Sequence, residues 1–105
     1  MIKLFIDDER FPPNDGTEWI VVRSSAEAKN FVKKFGIPDF ISFDHDLGGE
    51  DTSIVFINWL TDELIEGRLQ FPTEFQYYVH SQNPVGVKNI ESKMNQLLKH
   101  FNTGS

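Results

Sequence analysis

Cysteine is absent from the 105 residues of the chain. Disulfides, thiolate zinc sites and cysteine nucleophiles are therefore excluded, and a reducing compartment fits. Long apolar runs are absent too. The longest mostly apolar stretch, IVFINWL at residues 54–60, is far too short to span a bilayer. The N-terminus, MIKLFIDDER, lacks the apolar core of a signal peptide. These absences point to a cytoplasmic protein with no membrane partner. Basic residues are scarce: ten Lys and Arg stand against sixteen Asp and Glu. Such a balance argues against strong non-specific binding to nucleic-acid backbones. The deficit is uneven. Up to residue 75, fifteen acids face seven bases; beyond it Glu91 stands against Lys88, Lys93 and Lys99. Two readings fit that basic end: a solvated helix face, or a Lys88 that helps to hold an anionic ligand just after the HSQNPVG loop.

What is present suits a packed interior. Ten phenylalanines and two tryptophans favour one domain over residues 1–105, with 102–105 as a frayed tail. Alternating apolar residues predict strands near residues 2–6, 19–22, 39–43 and 75–79. Between them lie helical patterns. Ser24 with Glu27 reads as a capping box before Ala28, Phe31, Val32 and Phe35. Ile57, Leu60 and Leu64 mark a second helix over 54–66, and Ile90, Met94, Leu97, Leu98 and Phe101 a third. NPVG, at residues 83–86, reads as a turn before it. The first connector carries Pro12, Pro13, Asn14 and Gly16 and has no clear helical pattern. Strands alternating with helices predict an α/β fold in three layers: a mostly parallel four-stranded sheet with helices on both faces. Right-handed crossovers make 2-1-3-4 the simplest strand order.

Three of those strands end in polar residues. LFIDDER ends at Asp7, Asp8 and Glu9; ISFDHDLGG carries Asp44, His45 and Asp46; QYYVHSQNP delivers His80, Ser81 and Asn83. On extended backbone Asp44 and Asp46 leave on one face, and His45 points the other way. In the order 2-1-3-4 the first and third strands are neighbours, so Asp7, Asp8, Asp44 and Asp46 share the crevice at their carboxyl ends. Several ionised carboxylates at close range need a cation, and all-oxygen ligands point to Mg²⁺ or Mn²⁺. The bland alternative is that these acids cap loops and helices. Beside such a cluster an imidazole suits acid/base work. His80 is the better candidate, and His45 stays open between that role and a buried, hydrogen-bonded one. Ser81 fits a hydroxyl donor to a phosphate oxygen better than a nucleophile, and Asn83 with the NPVG amides would add to an anion nest. Arg10 fits two roles equally: a bidentate phosphate clamp, or a salt bridge to Glu9 or Asp44.

Taken together and in this order, LFIDDERFPP, the tryptophan-started strand followed by RSSAEA, ISFDHDLGG and VHSQNPVG resemble the cyclic-phosphate processing receiver-like domains. The resemblance covers residues 2–95. It implies a receiver/flavodoxin-like fold, here truncated, and an activity on cyclic phosphate ends of RNA or nucleotides, in RNA repair or related metabolism. It casts Asp7 and Asp8 as the acidic metal pair, Asp44 as the aspartate that ends the third strand and accepts phosphate in true receivers, and Ser81 as the hydroxyl after the fourth. His80 and Asn83 match the family's own motif. The chain shows no fifth strand and thus no receiver-type lysine. That favours a divalent-metal phosphoesterase, with a stand-alone receiver-like signalling or nucleotide-binding module, phosphorylated on Asp44, as the alternative. The segment after Gly49, with no glycine following Thr52, departs from the family pattern.

Overall fold

Residues 1–101 are described by a computed structural model; the expected frayed tail lies outside them. Strand β1 spans Lys3–Ile6, β2 Trp19–Val22, β3 Phe40–Phe43 and β4 Gln76–Val79. Helix α1 spans Ser25–Phe35, α2 Ser53–Ile65 and α3 Pro84–Phe101. The sheet is parallel throughout, in the order β2-β1-β3-β4 expected from right-handed crossovers. No helix among the described residues is long and apolar enough to cross a membrane.

The register builds two cross-strand rows of apolar side chains on one face: Ile20, Leu4, Ile41 and Tyr77, then Val22, Ile6, Phe43 and Val79. All but Ile20 join one apolar cluster with Ala28 and Val32 of α1, Phe56, Ile57, Leu60 and Leu64 of α2, and Ile90, Met94 and Leu97 of α3. The three helices therefore share a face, which corrects the expectation of helices on both. The reason is the connectors. From β1 to β2 the chain moves one way across the sheet, and from β2 through β3 to β4 it moves the other way. Right-handed connections then lie on opposite faces. The β1–β2 connector, with its paired prolines, forms no helix. Its face is closed by side chains. Lys3 Nζ lies 4.2 Å from the centre of the Trp19 ring, which meets the Phe5 and Phe40 rings edge to face. Lys3 also donates to Thr17 Oγ1 at 3.1 Å, tying the connector down.

Capping sets the helix starts. The Glu27 N–H donates to Ser24 Oγ at 3.1 Å, and Glu27 Oε1 accepts from the Arg23 N–H at 2.8 Å, so the box closes one residue further back than expected. Asp51 adds a second clamp on α1: it accepts from the N–H and the hydroxyl of Ser25. NPVG is the first turn of α3 rather than a separate turn. Asn83 caps it, accepting from the Gly86 N–H at 3.1 Å, and Pro84 fills the first helical position, where no N–H is needed.

Phe56→Ala should cost about 3–5 kcal/mol, read as a lower urea midpoint, because the ring is fully buried. Val55→Ser, on the exposed side of α2, should stay within about 0.5 kcal/mol. Equal losses at both positions would contradict the one-sided packing of that helix.

Candidate active site

The parallel ladder runs one residue beyond the strands. The Asp7 N–H donates to Val22 O, the Asp44 N–H to Ile6 O and the His80 N–H to Phe43 O, at 3.1, 2.9 and 2.9 Å. Arg23, Asp7, Asp44 and His80 thus form the next row of the sheet, one residue from each strand. The apolar pattern that buries Ile6 and Phe43 also fixes which residues come next.

Asp7 is fully buried yet surrounded by donors. Its Oδ1 accepts from the N–H groups of Glu9 and Arg10 at 2.9 and 2.8 Å. Its Oδ2 accepts from Arg10 Nε at 3.0 Å and lies 3.0 Å from His80 Nε2. Burial pushes this carboxyl up, but the two backbone N–H groups, His80 and the Arg10 guanidinium outweigh it, and the net shift is downward. Asp44 has the opposite balance. Burial and then the Asp7 charge push it up; Arg10, His80 and the His45 N–H pull it down without cancelling them. Arg10 bridges the pair, with its second contact at 3.6 Å from Asp44 Oδ1. Of its two expected roles, this is the salt-bridge geometry. The side chain is still 43% exposed and lines the cleft, so its outer face is open to an anion.

His80 is held on three sides. Its ring stacks on Phe5 with centroids 4.4 Å apart and planes 5° from parallel. Nδ1 lies 2.7 Å from the Ser42 hydroxyl, and Nε2 faces Asp7. Neither Phe5 nor Ser42 stands out in the sequence. The available signal is a lone small polar residue inside the strand FISF. Arg23 is equally easy to miss. Its Nη1 donates to the carbonyls of Asp7 and Arg10, and its guanidinium lies 4.9 Å from the centre of the Phe11 ring. That contact fixes the turn carrying Arg10.

The other residues singled out from the sequence lie around this row. A cleft of about 550 Å³ is lined by Asp8, Arg10, Asp44, Asp46, Ser81 and Asn83, together with Gly48 and Gly49. Asp7 and His80 lie behind that lining. Asp44 and Asp46 both line the cleft, but a bend at His45 keeps Asp46 out of the row of Asp7, Asp44 and His80. Asp46 instead accepts from Asn83 Nδ2 at 3.3 Å and meets His45 Nδ1 at 3.1 Å. His45 and then Asn83 lower the Asp46 carboxyl. His45 packs against Gly86 at the start of α3, so tightly that a Cβ there would fall 2.5 Å from its Cγ. Ser81 Oγ accepts from the Asn83 N–H at 3.1 Å. Lys88 is exposed on α3 and does not line the cleft.

One ligand atom from each of Asp7, Asp44 and His80 lies within 4.8 Å of the others. Two carboxylate oxygens and an imidazole nitrogen are a fitting donor set for a divalent cation. Arg10 supplies positive charge to the same two carboxylates, at Asp7 Oδ2 and Asp44 Oδ1. Asp8 and Asp46 stand outside this group.

An open parallel sheet with an acidic group at the carboxyl ends of its inner strands is a receiver-type arrangement. The family model described as the cyclic-phosphate processing receiver domain matches residues 2–96. The chain belongs to that family. No curated protein and no solved structure matches it.

The two carboxylates should respond oppositely to removal in chelator-treated protein. Below the ordinary value of 3.8, Asp44 is protonated both folded and unfolded and costs nothing. The cost appears as pH rises through its raised folded value. Asp44→Asn should therefore raise the urea midpoint at pH 7 and leave it unchanged at pH 3. The stabilisation from Asp7 is complete above 3.8 and is lost as pH falls through its lowered folded value. Asp7→Asn should cost about 1.5–3 kcal/mol at pH 7, the worth of a hydrogen bond to a charged group. A loss of similar size in both variants would contradict this asymmetry. Gly86→Ala should cost about 1–3 kcal/mol through overpacking against His45. A neutral result in the same urea titration would mean that the ring is free to move.

Proposed function

We propose that the domain is a divalent-metal-dependent phosphoesterase that opens cyclic phosphates on RNA ends or nucleotides. The observation that carries this reading is the Asp7–Asp44–His80 group, with Asp44 opening onto a cleft edged by Arg10, Ser81 and Asn83. The family to which the chain belongs supports the substrate class. Asp7 and Asp44 would hold Mg²⁺ or Mn²⁺, with His80 Nε2 as the third donor. A bound cation supplies positive charge to a phosphate oxygen and makes a water more acidic.

The chain's own groups do the rest. Arg10, displaced from Asp7, turns its guanidinium to the phosphate and grips two oxygens. Ser81 and the Asn83 amide hydrogen-bond the phosphate from the opposite lip. Asp8 and Asp46 line the cleft and, like the acidic surface around them, disfavour a long nucleic-acid backbone over a single phosphate end. Water adds to phosphorus, one ring P–O bond breaks, and the proton lost by the water ends on the departing ribose oxygen. His45, packed on Gly86, serves to place Asp46 rather than to move that proton.

A second reading has one observation in its favour. Asp44 directly follows β3, faces the cleft and has Arg10 beside it, which fits a phosphoacceptor. The two readings separate in one assay set. Nucleoside 2′,3′-cyclic phosphates with Mg²⁺ or Mn²⁺ should be hydrolysed by the wild type, and Asp44→Asn should lose at least about two orders of magnitude. His80→Ala should bind Mn²⁺ more than about tenfold more weakly. A stable phosphoryl adduct on Asp44 from a small phosphodonor, with no ring opening across the substrate panel, would overturn the phosphoesterase and leave the signalling module.

A further inference from the structure

The residue beneath His80 is small, polar and almost fully buried: Ser42 is 4% exposed. Its size lets the ring from β4 lie across β3 to reach Phe5 and Asp7. Its hydroxyl meets Nδ1 at 2.7 Å. A hydroxyl donates one hydrogen bond and also accepts, so it can satisfy a ring nitrogen in either protonation state.

The direction of that bond follows from the other edge of the ring. Nε2 faces a carboxylate, which only accepts, so Nε2 carries a proton. In the neutral ring Nδ1 is then bare and accepts from the Ser42 hydroxyl. With a cation held by Asp7 and Asp44, Nε2 would be needed as a lone-pair donor, and the neutral ring would carry its proton on Nδ1 instead. Nδ1–H would then donate to Ser42 Oγ, which would accept by turning its own hydrogen away.

We propose that Ser42 is a positioning residue for the cation site. It holds His80 in whichever tautomer the occupancy of Asp7 and Asp44 demands. This role rests on the cation-binding reading of the same site and adds to it a residue that touches neither cation nor substrate. An apolar residue at position 42 would leave a buried Nδ1–H without a partner in the cation-bound state. Metal-ligating histidines generally depend on such a partner at the far nitrogen, and its loss weakens metal binding by roughly 10–100-fold.

Imidazole nitrogen NMR of His80 and zinc calorimetry on the full chain test this, with Zn²⁺ as a diamagnetic probe. Cation-free wild type should show its proton on Nε2, and Zn²⁺ should move it to Nδ1. Ser42→Ala, which keeps the path of the ring open, should bind Zn²⁺ about 10–100-fold more weakly. Its cation-free urea midpoint serves as the folding control. A cation-free His80 protonated on Nδ1 alone, or an unchanged Zn²⁺ affinity in Ser42→Ala, overturns the role of Ser42 and leaves the cation site standing. A wild type that takes up no Zn²⁺, Mg²⁺ or Mn²⁺ overturns the cation site and this role with it.

Discussion

The parallel register of β1, β3 and β4 is the constraint on which the site depends. Leu4 pairs with Ile41 and Ile41 with Tyr77; Ile6 pairs with Phe43 and Phe43 with Val79. The residue after each strand then lands in one row. A slip of β3 by one residue would bring Phe43 or His45 level with Asp7 and turn the buried side chains of the strand to the wrong face. The core forbids that slip, since Ile41 and Phe43 are fully buried under the helices. Burial of apolar side chains and placement of the charged row are therefore one event. A row of Asp, Asp and His needs no fine-tuned loop to bring its members together, because the ladder hydrogen bonds already do so.

Within the row the two carboxylates are unequal, and the inequality has chemical use. Asp7 is saturated with donors and stays ionised in a fully buried position. Asp44 has fewer partners, faces the cleft and is raised by burial and by its neighbour. Two such charges side by side store repulsion that Arg10 relieves in part. An arrangement that is incompletely neutralised from within has more to gain from a cation than one that is fully paired. Arg10 is suited to being displaced. It reaches the pair from a surface loop, holds Asp44 only at 3.6 Å and remains partly in solvent. Arg23 holds the backbone of that loop, so only the side chain of Arg10 has to move.

Much of this was legible in the sequence because it rests on periodicity. The strands and helices follow from patterns of spacing two or of helical spacing, the strand order from right-handed crossovers, and the three polar strand ends from where the apolar alternation stops; the family was legible through its resemblance. What escaped depends on where a pattern stops. Asp44 and Asp46 read as one pair, and both line the cleft, but the bend at His45 leaves only Asp44 in the row with Asp7 and His80. NPVG looks like a turn because proline usually interrupts, but at the first helical position it begins α3. Helices on both faces follow from counting helices, whereas their side is set by the direction of travel across the sheet. Ser42, Phe5 and Arg23 escaped for another reason. Their importance comes from what lies across the sheet from them: a ring over a small residue, a stacking partner two strands away, and carbonyls sixteen and thirteen residues back in the chain.

The missing β1–β2 helix ties these points together. Without it, the face of the sheet carrying Phe5, Ser42 and His80 has no helix upon it. The chain closes that face with a short, proline-stiffened connector and a stack of aromatic rings. The same connector carries Arg10. In a receiver with a fifth strand, the resemblance would have the neutralising cation arrive from beyond β4. Among the described residues β4 is the last strand, and the positive charge of Arg10 arrives from the β1 side, three residues after Asp7. The position beside Asp44 that faces β4 is filled instead by His80, a ring with a nitrogen for the carboxylates and a second nitrogen bound to a buried hydroxyl. The helix-free connector therefore does more than join two strands. It brings the positive charge beside Asp7 and Asp44 on a side chain that stays partly in solvent, while His80 meets Asp7 through one ring nitrogen and Ser42 through the other. On the function proposed above, that combination suits a cation that comes and goes better than a phosphoryl group held on Asp44.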